Sequence, residues 1–245
     1  MKNTILWKSI CFSFALVVTI PVFSNTNIVS DQSIFDLLNY QEMVEVTLKT
    51  DLKALTDNRK NQEKHPAEFS FFDKNGQQQI WQIKVRLRGK FRRMRCENLP
   101  PIKLDFDKKE LAAAGLADFD KLKLVTHCVN NDKLAKDLIV KEYLAYKLYN
   151  NVTTQSYKVQ LVKINYENTR TGKVSQQYGF LIEPTDQLVA RLGAKEIEQA
   201  FNFSKDQYND SQVKVVALFN YLIGNSDYSI EGMRNVKVLL RDGEH

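Results

Sequence analysis

Residues 68–91 read EFSFFDKNGQQQIWQIKVRLRGKF, and this stretch sets the expected fold. Two segments with the composition of β-strands, Glu68–Phe72 and Gln79–Phe91, flank the pair Asn75-Gly76. Asparagine and glycine tolerate the positive φ angles of a tight turn. The stretch therefore predicts two antiparallel strands joined as a β-hairpin.

The second strand of this hairpin has two faces of opposite character. The face predicted to be buried carries the apolar side chains of Ile83, Val85, Leu87 and Phe91. The opposite face carries five cations, Lys84, Arg86, Arg88, Lys90 and Arg92. Such cations repel one another unless an anion lies against them, and phosphate is a natural candidate because arginine forks match its oxygens. The alternative is a solvated cationic face.

The rest of the chain adds strands and two long helices around this hairpin. Further strands are predicted at Val44–Leu48, Ile102–Phe106, Leu122–Val125, Gln155–Ile164, Tyr178–Ile182 and Asn235–Leu240. One long helix is predicted at Lys133–Asn150 and another at Ser211–Ile223. The first has a stripe of apolar residues that includes Leu138, Leu144 and Leu148. Antiparallel strands with one long helix among them, without regular βαβ alternation, indicate an α+β fold.

The N-terminus has the pattern of a secretory signal peptide. Lys2 and Lys8 supply positive charge, the segment Ile10–Phe23 is apolar, and small residues predict cleavage after Ser24. The alternative is a membrane anchor, but the apolar run of about 14 residues is shorter than the roughly 18–20 needed to span a bilayer. Since no later segment is apolar enough to cross a membrane, we expect an exported protein, periplasmic or extracellular, without a transmembrane segment after cleavage.

Cleavage would leave two of the three cysteines, Cys96 and Cys128. An even number of cysteines in an oxidising compartment predicts a disulfide between them. The alternatives are two separate buried thiols, or a metal site for which only His127 lies nearby in the sequence as a further ligand.

Composition narrows the class of protein. A hydrophobic content of 43% in 245 residues is that of a globular protein and excludes a disordered or fibrous chain. Loss of Lys2 and Lys8 would lower the formal net charge from +6 to +4. This modest charge, export, and the lack of aromatic residues interleaved with the cations all argue against nucleic acid as a partner.

Five short motifs follow one another in a definite order. They are VRLRG at 85–89, PPIKL at 100–104, KLKL at 121–124, GFLIE at 179–183 and IGNSD at 223–227. Together they resemble the CotH-type (spore-coat-kinase-like) atypical protein kinases, in particular the exported bacterial branch. The resemblance implies a protein-kinase-like fold, with an antiparallel-sheet N-lobe that carries one long helix and the start of a helical C-lobe. After the predicted signal peptide at 1–24, it implies a nucleotide lobe at 25–184 and an incomplete C-lobe at 185–245.

The resemblance also implies a reaction, the transfer of phosphate from ATP to a protein hydroxyl with Mg or Mn as the metal. The resemblance implies that Asp227 is the catalytic aspartate and that Asn235 is the metal-binding asparagine. Lys103 and Lys123 are the two candidates for the lysine that contacts phosphate, and Glu142 is expected to pair with that lysine.

Two further residues receive roles from the resemblance. Arg88 is expected to position phosphate, and Glu183 is expected at the hinge beside the nucleotide. Five of the site residues also have a structural alternative: Asp227 as a turn cap, Asn235 as a strand-edge residue, and Glu142, Lys103 and Lys123 as ordinary surface charges.

Kinases of this type need a second metal-binding aspartate on a later strand, and the chain stops before it. We therefore expect residues 1–245 to be a fragment of a longer protein. The alternative function is a non-catalytic pseudokinase or an envelope module that binds anionic ligands on its basic strand face. The sequence does not indicate which protein would be the substrate, nor the oligomeric state.

Overall fold

The computed structural model describes residues 32–57, 59–197, 204 and 207–241 of the chain. The predicted signal peptide at residues 1–24 lies outside these residues. The division predicted at residue 184 stays a prediction, as does the expectation that the chain is a fragment.

Seven strands form a closed barrel. They are β1 Met43–Thr50, β2 His65–Phe72, β3 Gln78–Leu87, β4 Ile102–Asp105, β5 Lys121–Val125, β6 Val159–Asn168 and β7 Val174–Ile182. Around the barrel their order is β1-β2-β3-β4-β5-β7-β6, and β6 closes the ring by pairing with β1 in parallel. All other neighbours pair antiparallel, so the barrel is mixed.

Seven helices surround or follow the barrel within the described part of the chain. They are α1 Ile34–Leu38, α2 Leu52–Asp57, α3 Arg92–Arg95, α4 Lys108–Ala113, α5 Asp132–Val152, α6 Thr185–Leu192 and α7 Asp210–Leu222. Two short strands outside the barrel, β8 Ala194–Ile197 and β9 Val238–Arg241, pair antiparallel. No helix in the described ranges combines the length and the apolar character needed to cross a membrane.

Alternating side chains fill the barrel interior. On β3 the residues Trp81, Ile83, Val85 and Leu87 are buried, as the alternation in the sequence predicts. The buried residues of α1 pack into the same core. Burial of each such large apolar side chain stabilises the fold by about 1.5–3 kcal/mol.

Helix α5 packs on the outside of the barrel through aromatic residues. The rings of Tyr146 and Tyr143 lie 5.6 and 6.2 Å from the ring of Phe180 on β7. The predicted buried stripe is wrong in part, because Leu138, Leu144 and Leu148 are exposed. Helical periodicity identified the helix, but the tyrosines rather than these leucines face the barrel.

The expected kinase-like architecture is wrong. In place of an antiparallel-sheet N-lobe followed by a helical C-lobe, the chain forms a closed seven-strand mixed barrel with seven helices in its described part. The parallel pairing of β1 with β6, in which Val46 lies opposite Ile164, closes the barrel and rules out an open antiparallel sheet. Alternation within a strand shows which face is buried, but it does not reveal a partner so distant in sequence.

The predicted hairpin is confirmed, but its second strand is shorter than expected. Strand β3 pairs with β2 and ends at Leu87 instead of Phe91. Gly89 has a φ of +84°, a conformation that ends the extended strand. As a result Phe91 is exposed rather than buried, and Arg92 begins the short helix α3.

Candidate functional site

Three cations lie side by side on the outer face of the barrel. Arg86 on β3 is directly opposite Lys103 on β4, and Lys103 is directly opposite Lys123 on β5. Their sequence neighbours are buried inside the barrel, so these three side chains project outward. We call Arg86, Lys103 and Lys123 the cation row. Like charges directly opposite one another on adjacent strands are destabilising.

Lys123 occupies the most enclosed position in the cation row. Its Nζ donates a hydrogen bond to Thr185 Oγ1 at 2.7 Å and lies 4.9 Å from the centre of the Tyr157 ring. The Tyr157 hydroxyl is 3.0 Å from the same Thr185 oxygen. The ammonium is thus held by neutral groups and a ring face.

The environment of Lys123 disfavours its charged form. Burial, followed by the nearby charges of Arg88 and Lys237, lowers the pKa of Lys123 from 10.5 to about 8, whereas Glu196 acts in the opposite direction. Lys237, which precedes β9, forms an ion pair with Glu196 on β8. The β8–β9 pair therefore lies within electrostatic reach of the cation row.

The rest of the row is also poorly neutralised. Burial lowers the pKa of Lys103, and the charges of Arg86 and Lys121 lower it further. Arg86 donates a hydrogen bond to the side-chain oxygen of Gln62. Across the described ranges, no member of the cation row forms a salt bridge.

Arg88 extends the row towards helix α5. Burial lowers the pKa of the Arg88 guanidinium, and of its charged neighbours Arg92 lowers it while Glu142 raises it. Glu142 accepts a hydrogen bond from Arg92 at 2.9 Å. The carboxylate predicted to pair with Lys103 or Lys123 thus pairs with an arginine of α3.

Arg93 on α3 is a half-buried cation near Arg92. Its Nε and Nη1 atoms are buried and have no hydrogen-bond partner among the residues that the structure describes. Buried polar groups are normally hydrogen-bonded, so these two donors are an exception to the rule.

Glu183 has a structural set of partners. Its side chain is 0% exposed, and its two carboxylate oxygens accept hydrogen bonds from Arg191 Nε at 3.0 Å and Nη2 at 2.9 Å. One of them also accepts from the backbone N–H of Lys158 at 2.9 Å. The residue expected at a hinge beside the nucleotide therefore joins the end of β7 to α6 and to the chain before β6.

The structure brings Asp227 and Asn235 together in the loop after α7. Asn235 Nδ2 donates a hydrogen bond to the backbone oxygen of Asp227 at 2.7 Å. The Asp227 carboxylate lies 3.4 Å from Arg234 Nη1, and both side chains of this ion pair are exposed. Asn235 adopts a φ of +55°, which asparagine tolerates better than most residues.

The described residues do not complete a site for Mg or Mn. They contain no group of three or more histidine, cysteine, aspartate or glutamate side chains arranged to hold a metal ion. Asp227 and Asn235 supply too few oxygens for the octahedral shell of Mg²⁺, and the Asp227 carboxylate already faces Arg234. The phosphate groups of ATP, in contrast, fit the charge of the cation row.

The predicted disulfide is present. Cys96, after α3, is bonded to Cys128, before α5, with their Cα atoms 4.7 Å apart. The backbone N–H of Asn98 donates to the oxygen of Cys128 at 3.0 Å, so the two loops are also hydrogen-bonded.

The sequence gives no sign of the neutral partners of Lys123 or of the approach of the C-terminal strand to it. Tyr157 and Thr185 carry no motif that marks them, and Lys237 is predicted only as part of a strand.

Comparison with known proteins finds no matching family model, no matching curated protein and no matching solved structure.

Proposed function

We propose that this protein is an exported phosphotransferase that binds a nucleoside triphosphate on the cation row and transfers its terminal phosphoryl group to a protein hydroxyl. The observation that carries the proposal is the row itself. Its three cations occupy opposed positions on adjacent strands, and Lys123 is enclosed with neutral partners. Such an arrangement opposes folding unless an anion balances it.

The chemistry of the row suits a chain of phosphates. Arginine offers a planar fork of donors, and lysine offers a compact point charge. The row spans two strand spacings, about 10 Å, which is enough to contact more than one phosphate group. Arg88 extends the positive charge beyond the row.

The proposed transfer step uses Asp227 as the proton acceptor. The oxygen of the acceptor hydroxyl forms a bond to the terminal phosphorus, the bond from phosphorus to the bridging oxygen breaks, and the nucleoside diphosphate leaves. The hydroxyl proton goes to the Asp227 carboxylate. Two features support this role: the hydrogen bond from Asn235 to the backbone oxygen of Asp227, which holds the loop, and the position of that loop just before Lys237, whose charge acts on Lys123. The ordered motifs that resemble CotH-type kinases favour the same assignment.

Replacing Lys123 with methionine is expected to weaken ATP binding at least tenfold, because it removes a charged hydrogen-bond donor worth about 1.5–3 kcal/mol. Methionine keeps the length of the side chain, so the thermal midpoint should not fall. The matched control is Lys84→Met, which removes an exposed charge from β3 on the same outer face of the barrel. Calorimetric titration of both variants with ATP measures the difference. An equal loss of affinity in the two variants would contradict the assignment of Lys123.

The pH profile of binding provides a second control on Lys123. Because its pKa is about 8, the ammonium is charged below that pH and neutral above it. ATP affinity of the unmodified protein should therefore fall as the pH rises through 8, and the Lys123→Met variant should lack this fall. The unfolded chain keeps the ordinary pKa of 10.5, so the contribution of Lys123 to folding stability improves between pH 8 and 10.5.

The second candidate function is non-catalytic binding of anionic ligands on the same face. The ion pair between Asp227 and Arg234 favours it, because the Asp227 carboxylate already faces Arg234 and would have to leave it to contact an acceptor hydroxyl. Under this candidate ATP and other anions bind with strong dependence on salt concentration, and no phosphate is transferred.

Asp227→Asn separates the two candidates. We expect phosphate transfer from ATP to fall by about 10²–10⁴-fold, the usual contribution of a general base, while ATP affinity changes little. The control is Glu231→Gln, an exposed carboxylate on the same loop. Transfer is followed with radiolabelled ATP and a peptide library in the presence of Mg²⁺ or Mn²⁺. Binding without transfer by the unmodified protein would favour the second candidate.

A further inference from the structure

Residues 89–95, which follow β3 and include α3, carry four cations and no acidic residue. We call these residues the basic turn, and none of them belongs to the cation row. The basic turn also presents two apolar side chains to solvent, because Phe91 is 71% exposed and Met94 is 48% exposed. A single exposed apolar side chain is common on a protein surface, whereas two on one turn form a small patch.

The two apolar side chains lie on the same side of the basic turn. The backbone N–H groups of Met94 and Arg95 both donate to the backbone oxygen of Phe91, at 3.0 and 3.1 Å. These bonds form one helical turn, in which residues three apart are neighbours on the surface. The guanidinium carbon of Arg95 lies 5.5 Å from the centre of the Phe91 ring. The turn therefore presents an apolar patch with a cation directly beside it.

Two of the four cations have no carboxylate partner and are open to solvent. Arg92 pairs with Glu142, and two guanidinium nitrogens of Arg93 are buried. Lys90 and Arg95 are exposed, and neither forms a salt bridge with any residue that the structure describes. The basic turn thus keeps uncompensated positive charge next to its apolar patch.

The chain is held in place at both ends of the basic turn. Before it, the backbone N–H of Arg88 donates to the oxygen of Pro101 at 2.7 Å. After it, Cys96 is bonded to Cys128, and the backbone oxygen of Cys96 accepts a hydrogen bond from the Arg59 guanidinium. Because both ends are fixed, the exposed side chains need little reordering to contact a partner, and this lowers the cost of binding.

We propose that the basic turn binds the surface of an anionic lipid bilayer, with Phe91 and Met94 inserted below the headgroups and with Lys90 and Arg95 against the headgroup phosphates. Such a bilayer offers negative charge at its surface and apolar chains directly beneath it. A nucleic acid or an acidic peptide would match the cations but would offer no apolar layer to the patch. The proposal does not depend on phosphate transfer at the cation row.

The variant Phe91→Trp tests insertion directly. The probes are vesicles of phosphatidylcholine and phosphatidylglycerol whose acyl chains carry bromine, which quenches tryptophan emission. We expect vesicles to shift the emission of Phe91→Trp to shorter wavelength and to quench most of it. The matched control is Phe72→Trp, at a phenylalanine that is 56% exposed beside the opposite end of β3, and it should show neither change. The native Trp81 is buried and gives both variants the same background.

Substitutions that remove charge test the contribution of the cations. Lys90→Gln with Arg95→Gln should weaken co-sedimentation with these vesicles by about 25-fold, because each cation near an anionic surface contributes roughly a fivefold factor. The matched control, Lys74→Gln with Lys109→Gln, removes the same charge from exposed positions elsewhere and should bind as the unmodified protein does. Phe91→Ser keeps the charge and should weaken vesicle binding by about tenfold or more, since it removes the larger apolar side chain.

Three results would overturn the proposal. The first is quenching of Phe91→Trp no greater than that of Phe72→Trp, and the second is an equal loss of vesicle binding in the two pairs of charge substitutions. The third is undiminished binding of Phe91→Ser, which would mean that the turn recognises phosphate groups alone, as on a nucleic acid. All variants are compared in the same purified form of the chain, so any contribution of the apolar segment at 10–23 is common to them.

Discussion

Replacing Arg191 with leucine is expected to lower the free energy of unfolding by about 3–5 kcal/mol, the usual cost of removing one partner from a buried ion pair. Glu183 is 0% exposed, and the substitution leaves its carboxylate buried without a cation. Arg191 also donates hydrogen bonds to the backbone oxygens of Thr154 at 3.1 Å and Ser156 at 2.8 Å. One guanidinium therefore joins β7, α6 and the loop before β6.

Urea unfolding followed by circular dichroism measures this effect. The double variant Glu183→Gln with Arg191→Leu should recover part of the loss, because it no longer buries an unpaired charge. The control is Lys214→Met, which breaks an exposed i,i+4 ion pair with Asp210 and should cost no more than about 0.5 kcal/mol. An Arg191→Leu loss as small as that of the control would show that the pair contributes little.

Removal of the disulfide is expected to lower the free energy of unfolding by about 3–4 kcal/mol. Cys96 and Cys128 are separated by 32 residues, and the cross-link restricts the unfolded chain over that loop. Cys96 is buried, so the two alanines of Cys96→Ala with Cys128→Ala leave no polar atom in the core. The loss should be visible as an earlier urea midpoint.

The reductant supplies the matched control for this prediction. Dithiothreitol should shift the midpoint of the unmodified protein towards that of the double-alanine variant and should leave the variant itself unchanged. If the oxidised protein and the variant unfold at the same urea concentration, the cross-link does not stabilise the fold.

Local features of the fold could be predicted from the sequence because they depend on neighbouring residues. The hairpin turn at Asn75-Gly76, the alternation along β3 and the helix α5 are all of this kind. The disulfide was predictable because few cysteines leave few pairings. Closure of the barrel could not be predicted, because it depends on the pairing of β1 with β6, and the sequence of neither strand indicates its partner.

The candidate site was predictable as a set of residue types but not as an arrangement. The cationic alternation on β3 identified Arg86 and Arg88, yet the register that aligns Arg86 with Lys103 and Lys123 is a property of three strands together. The partner of Glu183 was equally hidden, because Arg191 lies on α6 and meets the end of β7 only once both elements are in place.

The closed ring also constrains the order in which the chain assembles. Each of the seven strands has a hydrogen-bonded neighbour on both sides, so no strand of the finished barrel lies wholly at an edge. During synthesis, however, β1 leaves the ribosome long before Val159–Asn168 has been made. The hairpin of β2 and β3 needs only local contacts, whereas the seam between β1 and β6 requires a long loop to close. Until that seam forms, one side of β1 stays unpaired, and an unpaired strand side makes the growing chain prone to aggregate.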